Sequence, residues 1–313
     1  MNDNAPRSGV QASNPNFGIR RICVIYVICG CSLLVSCLRL DSFLFEPTRV
    51  EGEYFNPADM DSSWHVRWII PDSLVEPVTL FGLDSNRVYG FFARRPADAL
   101  GTASDAVTVI YNHGRGENIN RYWGRVELLW EAGCSVFIYD YEGYGRSEGS
   151  LSGAACYADA EAALEYVLAR PDVVDSLVVY YAWSLGSFMA CHLAADIRTP
   201  HCLILENPTA SASALAKEGA VLEIPGSFLV DADFDNEVRM PRLGCRTLII
   251  YGTQDQTAAP ERNALVLVDK GYGWLPELKV YPVEGADHSD LPETMGCDEY
   301  KRVVKAFIAR NPL

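Results

Sequence analysis

Two patterns of apolar residues divide the chain. From about residue 75 onward, short β-rich runs alternate with stretches of helical length and spacing. The runs Val75–Leu83 and Arg87–Ala93 flank Asp84-Ser85-Asn86, a hairpin signature. AVTVIYN (106–112), CSVFIYD (134–140), SLVVYY (176–181), CLIL (202–205), CRTLIIY (245–251) and LKVYPV (278–283) read as largely buried strands. Helices are expected over about 119–132, 154–169, 185–196, 260–271 and 298–310; Ala158, Ala162, Tyr166 and Val167, for example, recur near helical spacing. An antiparallel start followed by strand–helix repeats predicts an open, mostly parallel sheet of about eight strands with helices on both faces. Residues 208–240 interrupt the rhythm with small residues, a helix candidate at 214–222 and an acidic stretch, and are expected to form a short cap.

The second pattern lies at the N-terminus. Residues 1–19 are polar, Arg20 and Arg21 follow, and Ile22 to Val35 form an uninterrupted apolar run. A charged region before a run of this length has the form of a secretory signal, and the run falls short of the roughly 20 residues that span a bilayer. It closes on Leu34-Val35-Ser36-Cys37, which resembles the lipobox of bacterial lipoproteins, with Cys37 as the lipidation candidate. An uncleaved anchor helix over 22–38 is the alternative. Both put the rest of the chain outside the cytoplasm and on a membrane. The domain plan is thus a signal or anchor (1–36), a linker (37–63), and a main α/β domain (64–313) with the cap inserted at about 208–240.

Charge and cysteines narrow the partners. The net charge is −15, and the first 36 residues hold three arginines against one acid, so the remainder is more acidic still. Such a surface repels phosphate backbones, and nucleic acid is not an expected partner. Six of the ten cysteines lie beyond Cys37 (Cys134, Cys156, Cys191, Cys202, Cys245, Cys297), and none has a neighbour at zinc-site spacing. No cofactor or metal is expected. Cys202 and Cys245 open neighbouring strands and are the first candidates for a disulfide, with free buried thiols the equal alternative.

Candidate chemistry begins at Ala182-Trp183-Ser184-Leu185-Gly186, where a strand ends, small residues stand two before and two after a serine, and a helix starts. That is the context of a tight strand-to-helix turn that lifts a nucleophilic hydroxyl clear of the sheet, with alanine at the first small position where glycine is usual. In this arrangement an acid and then a histidine follow the serine along the chain. Asp255 (YGTQD) and His288 (GADH) each lie just past a strand, at the sheet edge where loops converge. Of the five histidines, His192 falls in a helix, His201 at a strand start, His65 before the repeats and His113 in a glycine-containing loop, which leaves His288 as base. Asp287 adjoins it too closely, and Asp140 is expected to brace the loop after its own strand. A serine hydroxyl is a weak nucleophile until a base takes its proton, and the base needs an acid to fix its tautomer.

The segment Asp140-Tyr-Glu-Gly-Tyr-Gly-Arg-Ser-Glu-Gly149 resembles the Asp-Tyr-Arg-Gly-Tyr-Gly-x-Ser-x-Gly signature of bacterial α/β hydrolases. That group includes serine aminopeptidase-like hydrolases and is similar to membrane-anchored depalmitoylating thioesterases; here Glu142 stands where arginine is usual. The resemblance covers about residues 75–310 and implies the α/β-hydrolase fold, the triad Ser184–His288–Asp255 and acyl transfer. His113-Gly114-Arg115-Gly116 resembles the family's oxyanion segment, which assigns the oxyanion-hole amides to Arg115 and Leu185. The substrate expected is a small acyl ester or thioester, with Trp183, Trp123 and Trp274 as candidates to line an acyl pocket. A peptidase using Asp231, Asp233, Asp235 and Glu237 to hold a substrate amine, and a non-catalytic binding lipoprotein, are the alternatives.

Overall fold

The computed structural model describes residues 45–56, 60–61, 65–96, 107–219 and 234–310, with only the backbone described at 216–219. The expected signal or anchor segment and Cys37 lie outside them. The strands are β1 (Glu46–Pro47), β2 (Val75–Phe81), β3 (Arg87–Ala93), β4 (Thr108–Asn112), β5 (Gly116–Glu117), β6 (Ser135–Tyr139), β7 (Val178–Trp183), β8 (Leu203–Glu206), β9 (Thr247–Gly252) and β10 (Leu278–Val283). The helices are α1 (Ile119–Glu131), α2 (Gly153–Ala169), α3 (Gly186–His192), α4 (Ala212–Gly219), α5 (Asn236–Arg239), α6 (Ala264–Gly271), α7 (Leu291–Met295) and α8 (Cys297–Ile308). Asn118 starts α1 by accepting the Asn120 amide, and Ser152 starts α2 by accepting the Ala155 amide. No helix among the described residues is long and apolar enough to cross a membrane.

Eight strands form one sheet in the order β10-β9-β8-β7-β4-β6-β3-β2, and all neighbours are parallel except where β3 meets β2 and β6. This is the mostly parallel sheet, with helices on both faces, that the apolar pattern predicts. Alternation along the central strands sorts the core into two layers. Ile110, Phe137, Tyr139, Tyr180, Leu203, Leu205 and Ile249 pack with α2, α3 and α6. Val109, Tyr111, Val136, Ile138, Val179, Tyr181, Ile204 and Ile250 pack with α1 and α8. Chain order reverses between β4 and β6, so the loops after β4 and β7 open on the crevice where ligands of such sheets sit.

Three expectations need correction or refinement. Cys202 and Cys245 are free thiols, not a disulfide. The register pairs Leu203 with Thr247, and the two cysteines point into opposite layers, Cys202 toward α1 and α8 and Cys245 toward the other side. Trp274 is 70% exposed on the connection leading into β10, at the strand starts and so at the end of the sheet opposite the loops. Of the insertion, the described ends meet: Ser211 bridges Asp235, and Ala212 and Asn236 exchange backbone bonds with Phe234 and Ala210. The helix there is α4 at 212–219; Asp231 and Asp233 lie outside the described residues. Two short strands, β1 and β5, were not predicted.

Glu142, at the position where the signature it resembles has arginine, is buried, its Oε2 accepts from Asn86 at 3.0 Å, and its amide donates to Asp159 Oδ2 of α2 at 2.7 Å. Among the described residues Asp159 Oδ1 has no hydrogen-bond partner, and a Cβ on Gly82 would lie 2.0 Å from it and 3.0 Å from Glu142 Oε1. Burial, with the neighbouring Glu142 carboxylate adding to it, lifts the Asp159 carboxyl well above its ordinary range. The folded state therefore holds a proton that the unfolded chain releases, so stability falls as pH rises above the ordinary carboxylate range. Asp159→Asn keeps an acceptor for the Glu142 amide and removes this titration. Urea unfolding at pH 5 and pH 8 is expected to show the parent losing about 1 kcal/mol more than the variant between the two; parallel losses would contradict a protonated Asp159.

Candidate active site

Ser184 sits at the turn between β7 and α3 with φ of 55°, in the left-handed region. Its amide donates to the Glu206 carbonyl at 3.0 Å and its carbonyl accepts the Ser187 amide, which fixes the strained turn from both sides. Gly186 is required by contact, since a Cβ there would lie 2.0 Å from the Asn112 carbonyl oxygen. The turn is thereby pressed against the end of β4. Ala182 is fully buried, and its single methyl fits the core between β7 and α3.

The structure brings Ser184, His288 and Asp255 together. His288 Nε2 is 2.9 Å from Ser184 Oγ, and His288 Nδ1 is 2.6 Å from Asp255 Oδ2. A carboxylate here can only accept, so the imidazole proton sits on Nδ1 and Nε2 is left to accept the serine hydroxyl. Asp255 Oδ1 takes the amides of Thr257 and Ala258 at 2.8 and 2.7 Å, so with His288 on Oδ2 this buried carboxylate accepts three hydrogen bonds and is held in one orientation. Asp140 does not belong to this group: it accepts the Ile119 amide at 3.0 Å and the Tyr54 hydroxyl at 2.7 Å, bracing the start of α1. Asp287 accepts the amides of His288 and Gln256 and so ties the base loop to the acid loop. The remaining histidines are engaged elsewhere or lie apart; His192, for one, bonds Glu161 and Asp196.

The base loop is held from behind by Trp183, expected to line an acyl pocket, and by Asn207 and Arg125, which the sequence pattern did not single out. Trp183 Nε1 and Asn207 Nδ2 both donate to the His288 carbonyl, at 3.2 and 2.9 Å, and the Trp183 ring lies 5.1 Å from the imidazole. Trp183 is buried and packs edge-on against Tyr122. Trp123 packs with Phe55 and Phe91. Over Trp183 lies the Arg125 guanidinium, 4.7 Å from the ring, which also donates to the Ser289 carbonyl at 3.1 Å. Burial works against the Arg125 charge, but the Glu206 carboxylate outweighs it and the guanidinium is raised well above its ordinary range. Glu206 takes Arg125 at 2.7 and 2.9 Å and the hydroxyls of Tyr300 and Tyr181 on its other oxygen. A charged residue ending the buried run CLILE was the available signal for this network. Beside it, a cavity of about 480 Å³ opens among Arg67, Arg121, Arg125, Ser289 and Glu293.

The segment assigned to the oxyanion hole is fixed carbonyl by carbonyl. His113 Nδ1–H donates to the Gly114 carbonyl at 2.8 Å, which orients the peptide that carries the Arg115 amide. Tyr141 donates to the His113 carbonyl at 2.9 Å, Tyr144 to that of Arg115 and Tyr122 to that of Gly116. Burial raises all three phenols, so they remain protonated donors. Among the described residues, neither the Arg115 amide nor the Leu185 amide donates to a protein acceptor.

A family model described as "Serine aminopeptidase, S33" matches residues 103–237, which includes Ser184 but neither Asp255 nor His288. The uncharacterized protein YfhR of Salmonella typhimurium is 27% identical over 306 residues, covering 93% of this chain and 94% of its own. The alpha/beta hydrolase domain-containing protein 17B of Xenopus laevis is 28% identical over 205 residues, covering 65% of this chain and 67% of its own. Among solved structures, the Pyrococcus furiosus esterase Pf2001 superposes with a TM-score of 0.65 at 16% identity, over 85% of this chain and 98% of that one. The chain has the α/β-hydrolase fold. Within this fold, the three loops that bear Ser184, Asp255 and His288 all leave the sheet at one edge, past the ends of β7, β9 and β10.

The brace can be tested apart from any activity. Arg125→Met leaves Glu206 buried beside two phenols without its cation and is expected to cost about 3 kcal/mol. Arg125→Met combined with Glu206→Gln is expected to recover at least half of that. Urea unfolding decides it: a single variant within 0.5 kcal/mol of the parent would mean that the pair contributes nothing (a threshold of about the size of an ordinary surface substitution).

Proposed function

We propose that the protein is a serine hydrolase that cleaves an acyl ester or thioester through an acyl-enzyme intermediate. The observation that carries this reading is the continuous bonded chain from the Ser184 hydroxyl through both nitrogens of His288 to Asp255. In this reading His288 Nε2 takes the hydroxyl proton as Ser184 Oγ attacks the acyl carbonyl, and Asp255 stabilises the imidazolium that forms. The tetrahedral oxyanion accepts from the amides of Arg115 and Leu185, at the positive end of α3. Collapse breaks the bond to the leaving alcohol or thiol, which receives the proton from His288. Water, deprotonated by the same nitrogen, then attacks the acyl-enzyme, and its collapse returns acid and free Ser184. All of this is done by the chain's own groups and water, and the partner it calls for is a small acyl substrate.

We favour ester or thioester over peptide. Of the acids considered for a substrate amine, Asp235 caps α5 by accepting the Val238 amide and Glu237 lies 3.8 Å from Lys270, while Asp231 and Asp233 lie outside the described residues. The neighbour Pf2001 is named an esterase, which agrees. The peptidase reading keeps one support, the serine aminopeptidase description of the matching family model.

Release of p-nitrophenol from short-chain acyl esters separates these readings. The parent is expected to turn such esters over, and Ser184→Ala to lose about 10⁴-fold or more in kcat. Cleavage of amino-acyl arylamides with no ester turnover would favour the peptidase. A folded chain whose Ser184 takes no fluorophosphonate label would leave only a binding role.

The same reading places the enzyme on a membrane, outside the cytoplasm, through a lipid on Cys37 or an uncleaved anchor. Cell fractionation and intact mass are the check: Cys37→Ala is expected to shift the chain to the soluble fraction or to alter its processed mass. No change in either would remove lipidation and leave the anchor helix.

A further inference from the structure

The short strands β1 and β5 lie beside the catalytic machinery, and neither is needed to build the sheet. Glu46 pairs with Gly116 and Pro47 with Glu117, in parallel, and the Glu46 amide donates to the Arg115 carbonyl at 3.3 Å. That carbonyl takes a second bond from the Tyr144 hydroxyl. The Glu46 carboxylate lies 3.5 Å from the Arg115 guanidinium, and the Asn118 side chain donates to the Thr48 carbonyl at 3.2 Å. The next residues fasten to the Asp140–Gly149 loop. The Gly145 amide donates to Thr48 at 2.9 Å, the Val50 amide donates to Gly145 at 3.0 Å, and Arg49 reaches the Ser147 carbonyl.

The segment is pinned at its start. Phe45 is 1% exposed and packs edge-on against Phe234, 6.0 Å away, which in turn stacks on Phe188 of α3 at 4.6 Å. One end of the segment thus touches, through a single ring, the helix that begins at the nucleophile. Its middle bonds the carbonyl of the residue whose amide is assigned to the oxyanion. Glu46 and Pro47 are themselves exposed. Pairing on an exposed two-residue edge adds little to stability, yet it sets where the Arg115 peptide stands.

We propose that residues 45–50 act as a strap that holds the oxyanion loop in its working position, with Glu46 as a positioning residue for acyl transfer. This rests on the hydrolase reading above and adds to it the means by which one oxyanion donor is placed. Loss of a whole donor costs about 100- to 1000-fold. A donor that stays but is no longer held within a fraction of an ångström is expected to cost less, about tenfold.

The test uses the full chain with Glu46→Pro, which removes the amide donor from β1, and Phe45→Ala, which unseats the anchor. Active sites are counted by the p-nitrophenol burst, so that turnover is read per competent site whatever fraction has folded. The strap predicts kcat per site about tenfold lower in both variants, with KM within twofold of the parent. An alkyl boronic acid, whose tetrahedral adduct places an oxygen between the two donors, should bind more weakly by the same factor. A merely structural role would lower the burst and leave per-site kcat and boronate affinity at parental values, and that result overturns the strap alone. A parent chain that turns over no ester or thioester would take the strap down together with the hydrolase reading.

Discussion

Parallel pairing of β4, β7 and β8 in register is the constraint from which the site is built. Asn112 lies beside Ala182, and Trp183 beside Glu206, so the loop bearing Arg115, the turn bearing Ser184 and the residues bracing His288 leave the sheet at one level. The pairing leaves no room for a side chain where α3 begins, which is why Gly186 faces the Asn112 carbonyl. It also directs the Ser184 amide onto Glu206, so the strain of the turn is borne by the strand beside it. The placement of Ser184 and of the residues behind His288 is thus inherited from hydrogen-bonded strands and not from the loops themselves.

Behind that rim, charge is buried only where it is matched. Glu206 and Arg125 would each be costly alone in the apolar layer between the sheet and α1; with Arg125, Tyr181 and Tyr300 as donors, Glu206 accepts four hydrogen bonds, two on each oxygen. The result is a rigid platform under Trp183, and through it under the base loop. Asp159 and Glu142 are the contrasting case, two carboxyls close together with no cation between them among the described residues, and burial raises the Asp159 carboxyl.

Much of this was legible in the sequence because it depends on short-range pattern. Strand runs of alternating or continuous apolar residues placed all eight sheet strands to within a few residues, and the serine between small residues at a strand end marked the turn. Asp255 and His288 could be named because each follows a strand run and few histidines compete. What stayed hidden depends on pairing across the fold. Arg125 and Glu206 are 81 positions apart, and nothing in either local sequence says which of many charges it will meet. β1 and β5 have two residues each, too few for any periodicity to register. The proposed Cys202–Cys245 bridge failed on a side-chain period of two: adjacent strands were read rightly, but which face each residue takes was not.

That opposition of faces has a practical side. With the two thiols in opposite layers, and no disulfide among the described residues, the described part of the fold holds no cross-link for a reductant to break. Its unfolding midpoint should therefore be the same with and without dithiothreitol.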